Sequence, residues 1–438
     1  MNIASYKRTY NGSEYEMIFS IRTNDISLTA PDLIINDDQS YIIPTENVTY
    51  LMIANSMTSF IPNATFEIKD DMNAITNYLK AQNCRIQVFI KKDPLIFNLT
   101  FLVKNYTVLD ITQNSTEYRI ETELDNCIPL NTICEYATSC SLDSDNEMME
   151  NPYEIIKNIL AQVNYKTFPT EKIGKNGEKI NSKYSLPYTN EVCHFITYPN
   201  MRAIDAIKYL ISYGIGENGS CSPAYLIHNL YYNKAYLTSI QNIWKQSSQE
   251  DQPTSTRIPF TLTKPLIPSR QFVARNLANN IEVGGIENAQ LFFNYRFFEY
   301  DQEERTWENY HINKMTINDL ITKGINHGTQ NSLYMKLLKE DIENTKYYAY
   351  SPHNHPVLYD VMRNLELYSS NLIFTVDGDL NLDVGQVITI YEEGENDNKI
   401  EQFNGQWMIY KIQHSFRNKD YDCHLFLSRR FNDKYNKV

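Results

Sequence analysis

Long apolar runs, an even set of cysteines and an excess of basic charge are all missing from this sequence of 438 residues. No window approaches about 18 consecutive apolar residues, so we expect no transmembrane helix. Residues 1–17 lack the apolar core of a signal peptide, so we expect no secretion signal. Seven cysteines, an odd number in so long a chain, indicate a reduced, cytoplasmic protein rather than a disulfide scaffold.

Basic residues are outnumbered, with 40 Lys and Arg against 53 Asp and Glu and a net charge of −13. This balance argues against a protein that binds nucleic acid through a broad basic surface. The same charge balance is compatible with DNA that slides past the protein, because a negatively charged surface repels DNA. Hydrophobic residues make up 42% of the chain, which excludes wholesale disorder.

Helices are predicted where apolar residues recur with helical spacing behind a capping residue. Asp70 precedes one such stripe, and Asn151, followed by Pro152, begins a clear helix. A further helix is predicted at residues 203–213. Three more are predicted in the second half of the chain, at residues 316–322, at residues 331–343 and after Pro356.

Two strand-rich segments resemble each other. The first has a short strand at residues 85–90, a long strand ending at residue 111, and a third strand in which Tyr118, Ile120, Thr122 and Leu124 share a face. The second has a short strand at residues 386–391, a long strand ending at residue 416, and Tyr421, Cys423, Leu425 and Leu427 in the same alternation. The similarity favours a structural duplication, although two unrelated antiparallel meanders can look alike.

The sequence therefore predicts a β-rich α+β fold, with two similar antiparallel β-barrel domains and helix-containing α/β segments between them. Residues 1–125 form the first β-barrel domain, and residues 126–248 form an α/β domain. Residues 249–370 start the second barrel and carry an inserted helical segment, and residues 371–438 complete that barrel. Residues 246–256 are a polar linker by composition.

Two motifs match ligand-binding patterns, but their sequence context does not support ligand binding. Gly214, Gly216 and Gly219 match the dinucleotide pattern but follow a helix, so a helix C-cap and turn is the better interpretation. His353 and His355 lie between two prolines and have no acidic or Cys partner at a metal-site spacing, so a loop is favoured.

The cysteines give no catalytic or metal signature. Cys127, Cys134 and Cys140 lack the paired spacing of zinc sites and are interpreted as partly buried thiols. Cys193 and His194 are sequence neighbours, whereas a base normally reaches its thiol from elsewhere in the fold. We expect no cofactor, no metal and no catalytic residue.

Acidic clusters are the remaining surface signal. Residues 143–150 and the loop containing Glu392, Glu393, Glu395 and Asp397 are the densest. Such runs are commonly solvated loops. The functional alternative is a negative wall that repels DNA, and the loop at Glu392 is our candidate for it.

The C-terminal stretch carries a recognisable pattern. It comprises residues 380–388 (LNLDVGQVI), residues 403–409 (FNGQWMI), residues 414–416 (HSF) and Tyr421 with residues 425–429 (LFLSR). This pattern resembles the closing barrel of central baseplate hub proteins from contractile-tailed, T-even-like phages. It is also similar to the N-terminal half of the VgrG spike proteins of type VI secretion.

The resemblance implies a structural protein of the virion, assembled in the host cytoplasm and without membrane insertion. Hubs of this family are homotrimers in which two related barrels per subunit give a pseudo-sixfold ring. That ring joins the tail tube, or a tube-initiator protein, to the central spike, and DNA passes through it in transit. Residues 292–350 match the family worst and are interpreted as an insertion.

Two other functions remain open from the residues. A virion-associated cell-wall hydrolase needs a cleft with two carboxylates about 5–9.5 Å apart. A tail-tip receptor-binding protein needs exposed aromatic loops at a distal end, which the 33 tyrosines allow.

Overall fold

The computed structural model describes sixteen segments of the chain. These are residues 6–23, 40–71, 73–81, 83–134, 152–169, 171–173, 179–181, 201–211, 224–247, 257–260, 270–274, 288–294, 299–305, 332–337, 370–392 and 405–428.

The first part of the chain alternates strands with short helices. Its strands are β1 (Tyr6–Tyr10), β2 (Ser13–Arg22), β3 (Ser40–Ile43), β4 (Val48–Ser56), β5 (Asn63–Asp70), β6 (Arg85–Lys92), β7 (Leu95–Ile111), β8 (Thr116–Leu124), β9 (Glu171–Ile173), β10 (Lys179–Asn181), β11 (Ala224–Asn229) and β12 (Lys234–Ser239). Its helices are α1 (Ala74–Lys80), α2 (Pro152–Gln162), α3 (Ala203–Ile211) and α4 (Ile240–Ser247), with 3-10 turns at Thr45–Asn47 and Asp125–Asn131.

The second part, as far as it is described, consists of strands. They are β13 (Arg257–Phe260), β14 (Arg270–Ala274), β15 (Asn288–Asn294), β16 (Glu299–Arg305), β17 (Ser332–Leu337), β18 (Ser370–Asp377), β19 (Val387–Glu392), β20 (Gly405–Arg417) and β21 (Asp420–Ser428). This content confirms the predicted β-rich α+β class.

One large sheet of 14 strands joins both ends of the chain, in the order β1-β2-β6-β7-β8-β5-β4-β20-β21-β18-β14, with β3, β13 and β19 attached beside it. Its pairs are antiparallel except for β13 with β19. The sheet contains the same five-strand arrangement twice. We call β4–β8 the first unit, in the order β6-β7-β8-β5-β4, and β14 with β18–β21 the second unit, in the order β19-β20-β21-β18-β14.

The duplication predicted from the two meanders is therefore present in the strand order. In each unit the third, fourth and fifth strands form a meander, and the second strand then pairs with the fifth. The two copies lie side by side because β4 of the first unit pairs with β20 of the second.

Alternation of buried and exposed residues fixes which face of each strand meets the core. In β8, Tyr118, Ile120, Thr122 and Leu124 are buried, as their period of two predicts. In β21, Tyr421, Cys423, Leu425 and Leu427 are buried in the same alternation. Phe66 in β5 lies opposite Ile120, Phe374 in β18 lies opposite Leu425, and both phenylalanines are fully buried.

The helices follow their capping signals. Both carboxylate oxygens of Asp70 accept hydrogen bonds from backbone amides of the first turn of α1, from Ala74 at 3.0 Å and from Ile75 at 2.9 Å. Helix α2 begins at Pro152, as predicted, and buries its isoleucine stripe against α3. Helix α4 was not predicted from the sequence, and it ends within the expected linker.

One predicted helix is wrong. Residues 331–343 contain strand β17, which pairs in parallel with β15. The sequence of β17, SLYMKL, places apolar residues at every second position, and this period is typical of a strand. The helices predicted at residues 316–322 and after Pro356 lie outside the described residues.

Candidate assembly site

The junction between the two units is a run of backbone pairing between β4 and β20. It extends from Ser56 opposite Lys411 to Tyr50 opposite Arg417. The other edge of β20 pairs with β21, so β4 occupies the same edge that β19 occupies nearer the start of β20. β20 is thus an inner strand of the second unit and also the strand with which β4, the last strand of the first unit, pairs.

A β-bulge marks the point where β20 changes partner. The register with β21 shifts between Ile409 and Lys411, and the carbonyl of Tyr410 accepts a hydrogen bond of 2.9 Å from the amide of Met57. Bulges bend a strand and redirect its edge. Here the bulge ends the pairing with β19 and begins the pairing with β4.

A buried polar cluster lies under this junction. The side-chain amide of Asn55 donates to the carbonyl of His228 at 2.7 Å and to Oδ1 of Asp383 at 2.9 Å. The other carboxylate oxygen of Asp383 accepts from the amide of Leu230 at 2.7 Å. The cluster therefore ties together the first unit, the second unit and the β11–β12 hairpin.

Burial controls the charge of this cluster. Desolvation raises the pKa of the Asp383 carboxyl to about 6, although hydrogen bonds from Leu230, Val384 and Asn55 oppose the shift. Desolvation also lowers the pKa of His228 to about 4. The histidine is held as a neutral ring whose Nδ1 lies 3.1 Å from the hydroxyl of Tyr165.

Residues 380–388, which belong to the sequence pattern described above, form part of the junction. Val384 is buried, and Gly385 has a φ of +81°, a conformation that favours glycine. A Cβ at Gly385 would come within 3.0 Å of Ile227 and 2.9 Å of the Tyr236 hydroxyl. Close approach of the hairpin is the physical reason for a glycine here.

Two buried groups place a cysteine beside a histidine. The Sγ of Cys127 lies 3.5 Å from Nδ1 of His228, and the Sγ of Cys423 lies 3.3 Å from Nδ1 of His414. Burial raises the pKa of both thiols to about 12 and lowers the pKa of both histidines to about 4.

Nucleophilic catalysis needs the opposite shift for the thiol. We therefore interpret both groups as core packing. Cys127 and Cys134 are buried, in agreement with the sequence interpretation, and Cys140 lies outside the described residues.

Several residues singled out in the sequence lie outside the described part of the chain. Within the candidate acidic loop, Glu392 ends β19, and Glu393, Glu395 and Asp397 are not described. The glycine motif, the Cys193–His194 pair and the two histidines near residue 354 are likewise outside the described residues.

Among the described residues, no group of His, Cys, Asp and Glu side chains has the arrangement of a metal site. In the same part of the chain, no helix is long and apolar enough to cross a membrane.

An open cleft at the tip of the β7–β8 hairpin brings three carboxylates together. Asp71, Asp110 and Glu117 line it with Lys69, which forms an ion pair of 3.2 Å with Asp71. The hydrolase alternative, which needs two carboxylates in a cleft, can be tested at this site. No local sequence pattern indicates this cleft, because its residues come from the end of β5 and from the β7–β8 hairpin.

No family model and no curated protein matches the sequence. Among solved structures, the 43 kDa tail protein of prophage MuSo2 from Shewanella oneidensis is similar with a TM-score of 0.51 and 7% identity, over 94% of this chain and 98% of that chain. The chain has the fold of a phage tail protein. The resemblance predicted from residues 380–388 and 403–409 is confirmed at the level of the fold.

Two further structures are similar at lower scores. A tail protein from Neisseria meningitidis has a TM-score of 0.47 and 9% identity, over 94% of this chain and 96% of that chain. An E. coli component of the type VI secretion system, described as similar to T4 tail proteins, has a TM-score of 0.41 and 9% identity, over 87% and 73%.

Proposed function

We propose that the protein is the structural hub of a phage tail baseplate. Three copies form a ring, and the two five-strand units of each chain provide six similar units around it. The observation that supports this most strongly is the repeated strand order together with the β4–β20 junction, which already sets two units edge to edge. Such a ring has threefold symmetry in its chains and approximate sixfold symmetry in its five-strand units. It can therefore contact both a threefold and a sixfold partner.

The partners follow from this symmetry. One face of the ring binds the tail tube or a tube-initiator protein, and the other binds the central spike. The role is scaffolding, without catalysis, cofactor or metal. Its location is the virion, after assembly in the host cytoplasm. The fold shared with a phage tail protein supports this role, and the buried Cys–His groups do not have the pKa shifts of a catalytic site.

We further propose that the ring has an acidic lumen through which DNA slides during ejection. The net charge of −13 and the loop with Glu392, Glu393, Glu395 and Asp397 support this. Changing these four residues to Lys slows DNA ejection, and raised salt restores the rate by screening the new charges. Glu14→Lys, at an exposed site outside the loop, is the control and leaves the rate unchanged. Equal rates for all variants contradict the acidic lumen.

The copy number of the protein in tail particles tests the hub directly. Tails are purified from the phage that encodes the chain, and the protein is quantified by mass spectrometry against labelled peptide standards. The tube subunit, quantified in the same sample, normalises the count per tail. The proposal requires three copies per tail. Six copies, or absence from the tail, contradicts it.

A further inference from the structure

The two five-strand units can be aligned residue by residue because each contains a β-bulge at the same place. In β7 the register with β8 shifts at Lys104, and in β20 the register with β21 shifts at Tyr410. Lys104 and Tyr410 therefore occupy equivalent positions, and residues that follow them in β7 and β20 correspond one to one up to a second bulge at Leu109.

An identical backbone hydrogen bond supports this alignment. The amide of Val103 donates to the carbonyl of Cys84 at 2.9 Å, and the amide of Ile409 donates to the carbonyl of Gln386 at 2.9 Å. Both bonds close the pairing with the preceding short strand immediately before the bulge. Beyond this point each long strand has one edge that its own short strand no longer covers.

The two long strands differ in what covers that edge. In the second unit, β4 pairs with β20 from Lys411 to Arg417. In the first unit, no described strand pairs with the corresponding edge of β7 at residues 104–111, which we call the distal half of β7. An unpaired strand edge presents backbone donors and acceptors to any complementary strand.

The distal half of β7 is also exposed, and four of its eight residues are apolar. All of its residues are exposed, including Tyr106 at 39%, Val108 at 42%, Leu109 at 44% and Ile111 at 71%. The proximal half of the same strand, by contrast, buries every second residue. Exposed apolar side chains beside an unpaired strand edge are typical of an interface.

The complementary edge is on β14. This strand is the counterpart of β4, because β14 pairs with β18 as β4 pairs with β5. β4 uses both of its edges, one for β5 and one for β20. β14 is the last strand of the sheet, and within the described residues its outer edge has no partner strand.

We infer that β14 (Arg270–Ala274) of one copy pairs antiparallel with the distal half of β7 of a second copy of this chain. The contact repeats between chains the β4–β20 junction that exists within each chain. It rests on the proposed function, since it supplies the contact that closes the ring. The two edges are different surfaces of one chain, so the interface is head-to-tail and generates a ring when its rotation closes.

The alignment also sets the register of the new contact. Within the chain, Gln413 lies opposite Ala54. Their counterparts are Thr107 and Val273, so Thr107 of one copy lies opposite Val273 of the next. By the same alignment, Val108 lies opposite Phe272.

Engineered disulfides test this register. Residues directly opposite in an antiparallel pair have Cα atoms about 4.5–5.5 Å apart, a distance that a disulfide can bridge. In the full chain, Thr107→Cys combined with Val273→Cys forms disulfides between chains, and non-reducing gels show bands at two and three chain masses. Gln413→Cys combined with Ala54→Cys is the matched control, and it forms a disulfide within the chain.

A mixture of the two single variants tests whether the disulfide joins two different edges on two chains. Thr107→Cys and Val273→Cys, each alone, form no such link, whereas their mixture forms a linked dimer and nothing larger. These single variants also control for native cysteines, of which the four described are buried. A dimer formed by Thr107→Cys alone indicates a self-complementary contact and overturns the inference.

A charge placed on the edge tests the interface without cysteines. Val108→Asp dissociates the oligomer seen by native mass spectrometry into single chains. Ile96→Asp, on the proximal half of the same strand and at a similar 40% exposure, is the control and leaves the oligomer intact.

The outcomes separate the inference from the hub proposal. Oligomers that survive Val108→Asp and give no Thr107–Val273 link overturn the edge pairing, and the copy number in tails still decides the hub. A chain that stays monomeric and unlinked at all concentrations also overturns the pairing. If the Thr107–Val273 disulfide forms a trimer but tails do not contain three copies, the edge pairing is supported and the hub proposal is contradicted.

Discussion

The side-chain amide of Asn55 donates a hydrogen bond of 2.9 Å to the carboxylate of Asp383, which is 328 residues later in the chain. The same amide donates to the carbonyl of His228 at 2.7 Å. Both partners are buried, and each belongs to a different part of the fold. The junction between the two units therefore depends on a polar cluster that no local segment can form by itself.

Removing the Asn55 side chain leaves a buried carboxylate and a buried carbonyl without their donor. Asn55→Ala is expected to lower the free energy of unfolding by about 1–3 kcal/mol. Denaturant titration followed by circular dichroism measures the change. Asn63→Ala, at an exposed position in β5, is the control and changes it by less than about 0.5 kcal/mol. Equal effects of the two substitutions would contradict the role given to the cluster.

Asp383 gives the stability a defined pH dependence. Burial raises its pKa from the ordinary value of 3.8 to about 6, so the folded protein keeps a proton that the unfolded chain releases. The stability contributed by this group is complete below about pH 4 and is lost as the pH rises through about 6. Asp383→Asn cannot titrate, so the stability of the wild type relative to this variant falls between pH 4 and pH 6. A difference that is constant over this range contradicts the raised pKa.

His414 acts in the opposite direction. Burial lowers its pKa from 6.5 to about 4, so the unfolded chain binds a proton that the folded protein excludes. Stability from this group is complete above about pH 6.5 and is lost as the pH falls through about 4. Between pH 6.5 and pH 4.5 the free energy of unfolding of the wild type falls by roughly 2 kcal/mol because of this group. We expect this part of the fall to be absent in His414→Asn. His424→Asn, on the partly exposed face of β21, is the control and retains the loss. Unfolding titrations at several pH values distinguish the two.

Gly378 lies against the ring of Tyr421, which stacks on Phe416 with centroids 3.9 Å apart. A Cβ at this position overlaps the tyrosine ring, so Gly378→Ala is expected to destabilise the protein by about 3 kcal/mol. Gly12→Ala meets open space and is strained only by its φ of +76°, with an expected cost of about 1–2 kcal/mol. Thermal unfolding of both variants shows which substitution destabilises the protein more. The reverse order would show that the ring can move aside.

Much of the fold could be predicted from local pattern. The period of two in β8 and β21, the capping signal at Pro152 and the similar meanders are visible along the chain, because each depends on residues close in sequence. The helix predicted over the β17 segment is wrong because a short apolar stretch fits both the helical and the strand period. Its parallel partner β15 lies about forty residues away and left no local signal.

The assembly site could not be predicted in the same way. Pairing of β4 with β20 and the hydrogen bonds of Asn55 join residues that are hundreds of positions apart. Backbone pairing places little constraint on residue type, so the sequence of β4 does not indicate its partner. The unpaired edge of β7 is defined by the strand order of the whole sheet, which the sequence of β7 does not indicate.

A cryo-electron microscopy reconstruction of the tail tip would show both the number of copies and the contacts between them. We expect three copies of the chain in one ring, with six similar β units and β14 of each copy paired with the distal half of β7 of the next. A ring with a different number of copies, or a position of the chain away from the axis between tube and spike, would contradict it.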